Sequence, residues 1–292
     1  MSSISSTPSI SPAASPARAL ALQLAALAAV LGWAYWPTLM VFGDKWVNDP
    51  QYSHGLLVPL FSGFLVYRAW KSQSLELRPM PVLGCTLLAA ILAIRAAAGS
   101  LLFYQLDAAS LLLAVAGAVI AFGGLPLLKR TWPAIAFLVF MIPLPYELER
   151  NVGAPMKTAA TISSTFLLQT LGLPALRDGN LILIDEVRLG VVDACSGLKM
   201  MMTFAAFSVG AVILMQRSRF EKLMILLGIA PIAVASNVLR ITVTGVTYAT
   251  LTDEATRERL HDFYGYAMML VGLALLALEL WALKKLVVEE SE

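Results

Sequence analysis

The stretch Val191-Val192-Asp193-Ala194-Cys195-Ser196-Gly197-Leu198-Lys199 is where a short polar, strand-like segment gives way to a long apolar helix. Cys195 therefore falls at a helix N-terminus. A thiol there meets unpaired backbone N–H groups and the positive end of the helix dipole. Both lower a cysteine's pKa and raise its thiolate fraction. Ser196 and Gly197 are small and let another backbone approach closely. Lys199 follows Cys195 by one turn and adds positive charge to the same face. The competing reading of Cys195 is a half-buried small hydrophobe.

Outward from this stretch the chain is overwhelmingly apolar. Its composition is 59% hydrophobic and 14% charged, with a mean hydropathy of +0.76. Soluble domains sit near 45–50% and about 25%, so the expected class is a polytopic membrane protein. A net charge of +2 gives no sign of nucleic-acid binding. The two cysteines, Cys85 in an apolar run and Cys195 outside one, lack CxxC spacing. With only His54 and His261 present, no metal site and no cofactor is expected.

Apolar periodicity places about eight transmembrane helices at 20–42, 55–70, 81–98, 107–124, 132–142, 196–215, 223–249 and 263–283. Residues 1–18 read as a disordered cytoplasmic tail, 19–286 as one transmembrane domain and 287–292 as a second cytoplasmic tail. Within the domain, 146–194 forms an extracytoplasmic insert. It begins with an interfacial or re-entrant helix over 156–171 that Pro174 and Gly179 terminate. A β-hairpin follows, with strands at 180–184 and 187–192 about a turn at Asp185-Glu186. The predicted fold is thus all-α and polytopic, with a short outer-face hairpin and an interfacial helix before the sixth span. Basic clusters such as Arg68/Lys71, Lys129/Arg130, Arg217/Arg219/Lys222 and Lys284/Lys285 all fall on the cytoplasmic side if the N-terminus is cytoplasmic.

That topology brings Cys195, Arg240, His261 and His54 to the outer membrane surface. A thiolate needs a base, which histidine supplies, and a thioester-forming reaction passes through an oxyanion that arginine can stabilise. The set suits acyl transfer on a peptide bond. His261 is the preferred base and His54 the alternative, with lining of the site as its other role. Asn237, one turn before Arg240, either orients the guanidinium or bonds between helices. An arginine inside a span is costly and marks a functional site by default. Arg95 and Asp107 read as a structural pair.

At these residues the sequence resembles the exosortase/archaeosortase family. The matching stretches are Asp193-Ala194-Cys195-Ser196-Gly197-Leu198, Asn237-Val238-Leu239-Arg240 and His261-Asp262-Phe263-Tyr264-Gly265. Tyr52-Ser53-His54-Gly55 and Ile142-Pro143-Leu144-Pro145 also fit. The resemblance implies a cysteine protease or transpeptidase of the bacterial plasma (inner) membrane, with Cys195, Arg240 and His261 as its catalytic set on the extracytoplasmic face. The substrates it implies are exported proteins with a C-terminal PEP-CTERM-like sorting tail: a short Pro-Glu-Pro-like motif, a transmembrane helix and a basic cluster. The enzyme cuts near the motif through an acyl-enzyme and can pass the acyl group to a cell-surface acceptor. Such systems accompany exopolysaccharide production. The readings that compete are a polytopic transporter and a non-catalytic assembly factor for polysaccharide export.

Overall fold

The structure, a computed structural model, describes residues 26–49, 52–71, 77–100, 104–191 and 197–286, with the main chain alone at 98–100, 104 and 199. Helices dominate, as apolar runs of this length require where backbone groups have no water to bond. In order they are α1 (Ala26–Ala34), α2 (Trp36–Asn48), a 3₁₀ turn (Ser53–Leu56), α3 (Leu57–Lys71), α4 (Pro81–Ser100) and α5 (Tyr104–Phe137). A second 3₁₀ turn (Leu138–Met141), α6 (Tyr146–Thr170) and strands β1 (Ala175–Asp178), β2 (Leu181–Ile184) and β3 (Val187–Gly190) follow. The chain then runs through α7 (Leu198–Leu214), α8 (Arg219–Thr250) and α9 (Glu254–Leu286).

Three of the described helical stretches are long and apolar enough to cross a membrane: Gln105–Met141, Arg219–Thr250 and Glu254–Leu286. The first predicted span is not a straight helix in its described part. Ala26–Ala34 and Trp36–Asn48 meet at 75°, and together they make a fourth candidate. Pro37 stands at the start of α2, where a residue without an N–H interrupts the hydrogen-bond ladder. α5 is broken at Gly124, whose φ of 70° and ψ of −170° are not helical. A Cβ there would stand 1.9 Å from the Arg78 carbonyl oxygen, so only glycine fits. Helix resumes at once on both sides. Lys129 and Arg130 therefore lie on a helix rather than in the loop expected between the fourth and fifth spans.

A polar cluster ties α2, α4 and α5. Arg95 Nε donates to Asp107 Oδ1 at 2.6 Å, and the Arg95 guanidinium lies 4.1 Å over the Tyr35 ring. Thr38 donates to Asp107, while the Tyr35 and Ser110 hydroxyls bond at 2.8 Å. The predicted structural pair is therefore present, and satisfied on several sides.

The region before α7 differs from expectation in three ways. α6 starts ten residues earlier than predicted and carries Pro155 in its interior. The hairpin is a three-stranded antiparallel sheet in the order β1-β2-β3. β1 occupies the segment between Pro174 and Gly179, and Gly179, at φ 59°, turns the chain into β2. The sheet is not free-standing. Ile182, Ile184 and Leu189 share a core with Ala160 and Leu168 of α6 and with Val238 and Ile241 of α8. α6 in turn bonds to α8 through Ser164 Oγ, which donates to the Val238 carbonyl at 3.2 Å.

The ends of α8 and α9 are capped by side chains. Ser218 and Glu221 form a reciprocal capping box at the start of α8. Asp253 accepts from the Thr256 N–H at 2.9 Å and from its hydroxyl, and these bonds hold its carboxyl below the usual range. α9 consequently begins at Glu254. The polar loop expected over 250–258 shrinks to three residues, and His261 lies two turns inside α9 rather than ahead of the eighth span.

Candidate active site

The site is built from the start of α7 outward. Gly197 caps α7 in the left-handed conformation, at φ 83° and ψ −11°. A Cβ on it would meet Asn237 Nδ2 at 3.2 Å. Glycine is thus required twice, for its backbone angle and for the close packing of α7 on α8. Leu198, fully buried, anchors the first turn. Cys195 and Ser196 lie outside the described residues, as does the Lys199 side chain. Their described flanks are Val191 and Gly197, both buried.

Arg240 follows Asn237 by one turn of α8 and is 8% exposed. Its Nη2 lies 3.4 Å from Nε2 of His261 on α9. Guanidinium has donors only, so in this contact Nε2 accepts and a neutral ring carries its proton on Nδ1. Room for the guanidinium comes from Gly265, one turn after His261, where a Cβ would stand 3.4 Å from Arg240 Nη2. The two helices are held in register nearby. The Thr247 and Tyr264 hydroxyls bond at 2.8 Å. Arg257 caps the end of α8, donating from Nε to the Leu251 carbonyl at 2.6 Å and from Nη2 to the Tyr248 carbonyl at 2.8 Å. Cations at a helix C-terminus are favoured in this way.

Arg240 and His261 face a narrow cleft of about 20 Å³. Ile241 and Thr244 of α8 line it on one side, and Leu189, Gly190 and Val191 at the end of β3 on the other. The strand that runs into the Cys195 stretch therefore borders the Arg–His pair. A fixed cation beside an imidazole can bind a developing oxyanion and move a proton.

The structure places His54 elsewhere. It sits in the 3₁₀ turn ahead of α3, where Gly55 lies so tightly under the Trp46 indole that a Cβ would be 2.2 Å from its Nε1. Trp46 Nε1 donates to the Met141 carbonyl at 3.0 Å, and the Leu144 N–H donates to the Tyr52 hydroxyl at 3.2 Å. The Tyr52–Gly55 and Ile142–Pro145 stretches are thereby locked together. His54, 8% exposed, borders a groove of about 740 Å³ between α3, α7 and α9, whose walls include Phe61, Thr203, Phe207, Gly210 and Met269. It does not line the Arg240–His261 cleft. Among the described residues no group of His, Cys, Asp and Glu has the number needed to hold a metal ion.

Thr244, Gly265 and the β3 residues are the parts of the site that sequence reasoning did not assign. Gly265 carried a signal in its one-turn spacing from His261. Thr244 and Gly190 carried none, since their place follows from packing between distant segments.

The architecture is that of a helical membrane protein with a small sheet packed on α6 and α8. The family model for transmembrane exosortases matches residues 46–278, and the chain belongs to that family. No curated protein matches the chain, and no solved structure does.

Proposed function

We propose that this exosortase is a cysteine protease or transpeptidase with Cys195 as nucleophile, His261 as base and Arg240 as oxyanion donor. The observation that carries the reading is the 3.4 Å contact between Arg240 and His261 at a cleft bordered by Val191, a residue from which the chain continues directly to Cys195. In the reaction the Arg240–Nε2 contact opens, and the freed Nε2 of His261 takes the thiol proton as sulfur attacks the carbonyl carbon of the scissile peptide bond. Arg240 and helix N-terminal N–H groups bind the resulting oxyanion. The C–N bond breaks, His261 returns the proton to the leaving amine, and a thioester remains. Water or an amine of a cell-surface acceptor then attacks that thioester, the C–S bond breaks, and His261 passes the nucleophile's proton to the leaving Cys195 sulfur.

The proposed substrate is an exported protein with a C-terminal PEP-CTERM-like sorting tail. The apolar groove that opens beside α7 supports a substrate held in the bilayer. His54 lines that groove and serves there rather than as the base. Lys199 and Ser196 shape the field and the space around the thiol, and Asn237 fixes the α7 start through Gly197. The bundle is proposed to span the plasma membrane eight times, counting the α1–α2 pair, α3, α4, each half of α5, α7, α8 and α9. Its N-terminus is then cytoplasmic and the cleft extracytoplasmic, as the basic clusters favour. The pairing of Arg95 with Asp107 argues against these residues lining a transport path.

The deciding experiment is co-expression of Cys195→Ala with a tail-bearing reporter. The reporter is expected to stay uncut while the variant accumulates in the membrane. Normal processing by the variant would end the protease reading in favour of a non-catalytic assembly role.

A further inference from the structure

Strand β3 is paired along one edge only. It is the terminal strand in the order β1-β2-β3, with Leu181 opposite Gly190 and Ile182 opposite Leu189. The Val191 N–H donates to the Asn180 carbonyl at 3.0 Å, which fixes the phase of the ladder. Residues 187, 189 and 191 bond toward β2, so Arg188 and Gly190 direct their N–H and C=O groups away from it. Both residues are exposed. Among the described residues nothing pairs with this edge.

Two further observations concern the same place. Gly190 lines the Arg240–His261 cleft, yet a Cβ on it would meet only Leu181 Cδ1, at 3.9 Å. Its own packing does not demand glycine, and a glycine within a strand often marks a place where another main chain approaches closely. Thr244, 3% exposed, lines the cleft as well. Its Oγ1 has no hydrogen-bond partner among the described residues, and a buried hydroxyl left so is costly.

We propose that the open edge of β3 seats the substrate polypeptide as a fourth, extended strand, bonded to the main chain of Arg188 and Gly190, with Thr244 engaging one more main-chain group. The inference rests on the exosortase reading and deepens it by naming the docking element and the substrate's conformation. Alternating donors and acceptors on a strand edge match one kind of ligand, another extended backbone. The edge ends at the cleft, so a strand added about 4.8 Å from β3 delivers a peptide bond toward Arg240 and His261. Affinity then comes from main-chain bonds, and selectivity from every second side chain.

The test uses the full-length enzyme in membranes and a reporter ending in a Pro-Glu-Pro motif, an apolar span and a basic cluster. A photo-crosslinking residue replaces Arg188, or Arg177 on the opposite edge of the sheet, in the Cys195→Ala background that keeps the reporter whole. The expected result is a reporter adduct from position 188 and none from 177. Equal adducts from both edges, or adducts only between two copies of the enzyme, overturn the proposal. In the active enzyme, Arg177→Ala on the opposite edge of the sheet is the control and should hold cleavage within about twofold. Arg188→Pro removes one outward donor without touching the β2 ladder and should lose roughly 3- to 10-fold. Should the proline variant fail to accumulate, the crosslinks decide alone. Cleavage of the reporter by wild type without an adduct from 188 overturns the docking site alone. Failure of wild type to cut overturns the protease reading of this exosortase, and the docking site that rests on it falls as well.

Discussion

Arg240 and His261 stand 3.4 Å apart, yet their loss should read out differently. Removing one oxyanion donor costs about 10²–10³ in rate, so Arg240→Ala should lower acylation by that order. Arg240→Lys keeps the charge but loses the planar fork that reaches both the imidazole and an oxyanion, and should recover only part. His261 must be neutral to take a proton, so activity should fall as acid protonates the ring. If Cys195 and His261 rest as an ion pair, that acidic limb belongs to the pair. Trapping the thioester and comparing its formation rate in His261→Ala and His54→Ala separates the two histidines. Far greater loss from His261→Ala is expected, and equal loss would move the base assignment. Arg240 and His261 were legible in the sequence because an arginine in an apolar run is too costly to be incidental. Thr244 acquires its place only by packing between distant segments, which no local spacing reveals, whereas Gly265 stands one turn after His261.

Helix ends decide where those side chains stand. The Ser218–Glu221 box starts α8, and Arg217 Nη1 reinforces it with a 2.6 Å bond to Glu221 Oε1. Ser218→Ala should cost about 1 kcal/mol, read as a lower melting midpoint in detergent with cleavage chemistry unchanged. The span expected over 223–249 begins at Arg219 instead, because this box starts the helix ahead of its apolar run. The true start of α9 also had a local signal in Asp253, but a run of charged residues there reads equally well as loop. β1 was hidden for a different reason. Pro174 and Gly179 read as breakers, whereas they bound a strand that exists only because β2 and the α6–α8 core give its buried face a partner. α6 also runs through an interior proline, Pro155, because packing against α8 holds a helix that proline alone would end.

At the scale of the molecule, composition made the membrane class plain and the spans less so. The bend at Tyr35 and the break at Gly124 come from single residues set against neighbouring chain, so a hydropathy average passes over both. Orientation is open to a direct chemical check. A membrane-impermeant thiol reagent added from outside should label Cys195 and leave Cys85, which is exposed on α4 among the apolar side chains of that helix. Labelling of Cys195 only after the membrane is opened would invert the topology.

The groove between α3, α7 and α9 is open on one side, and Leu57 and Leu60 on its rim are largely uncovered. With α3, α7 and α9 spanning the membrane as proposed, a partner that comes by that side would arrive from among the acyl chains, where molecules are counted per lipid and not per litre. The encounter rate is then set by crowding in the plane of the bilayer. Expanding the membrane at fixed protein content slows it, whereas adding water does not.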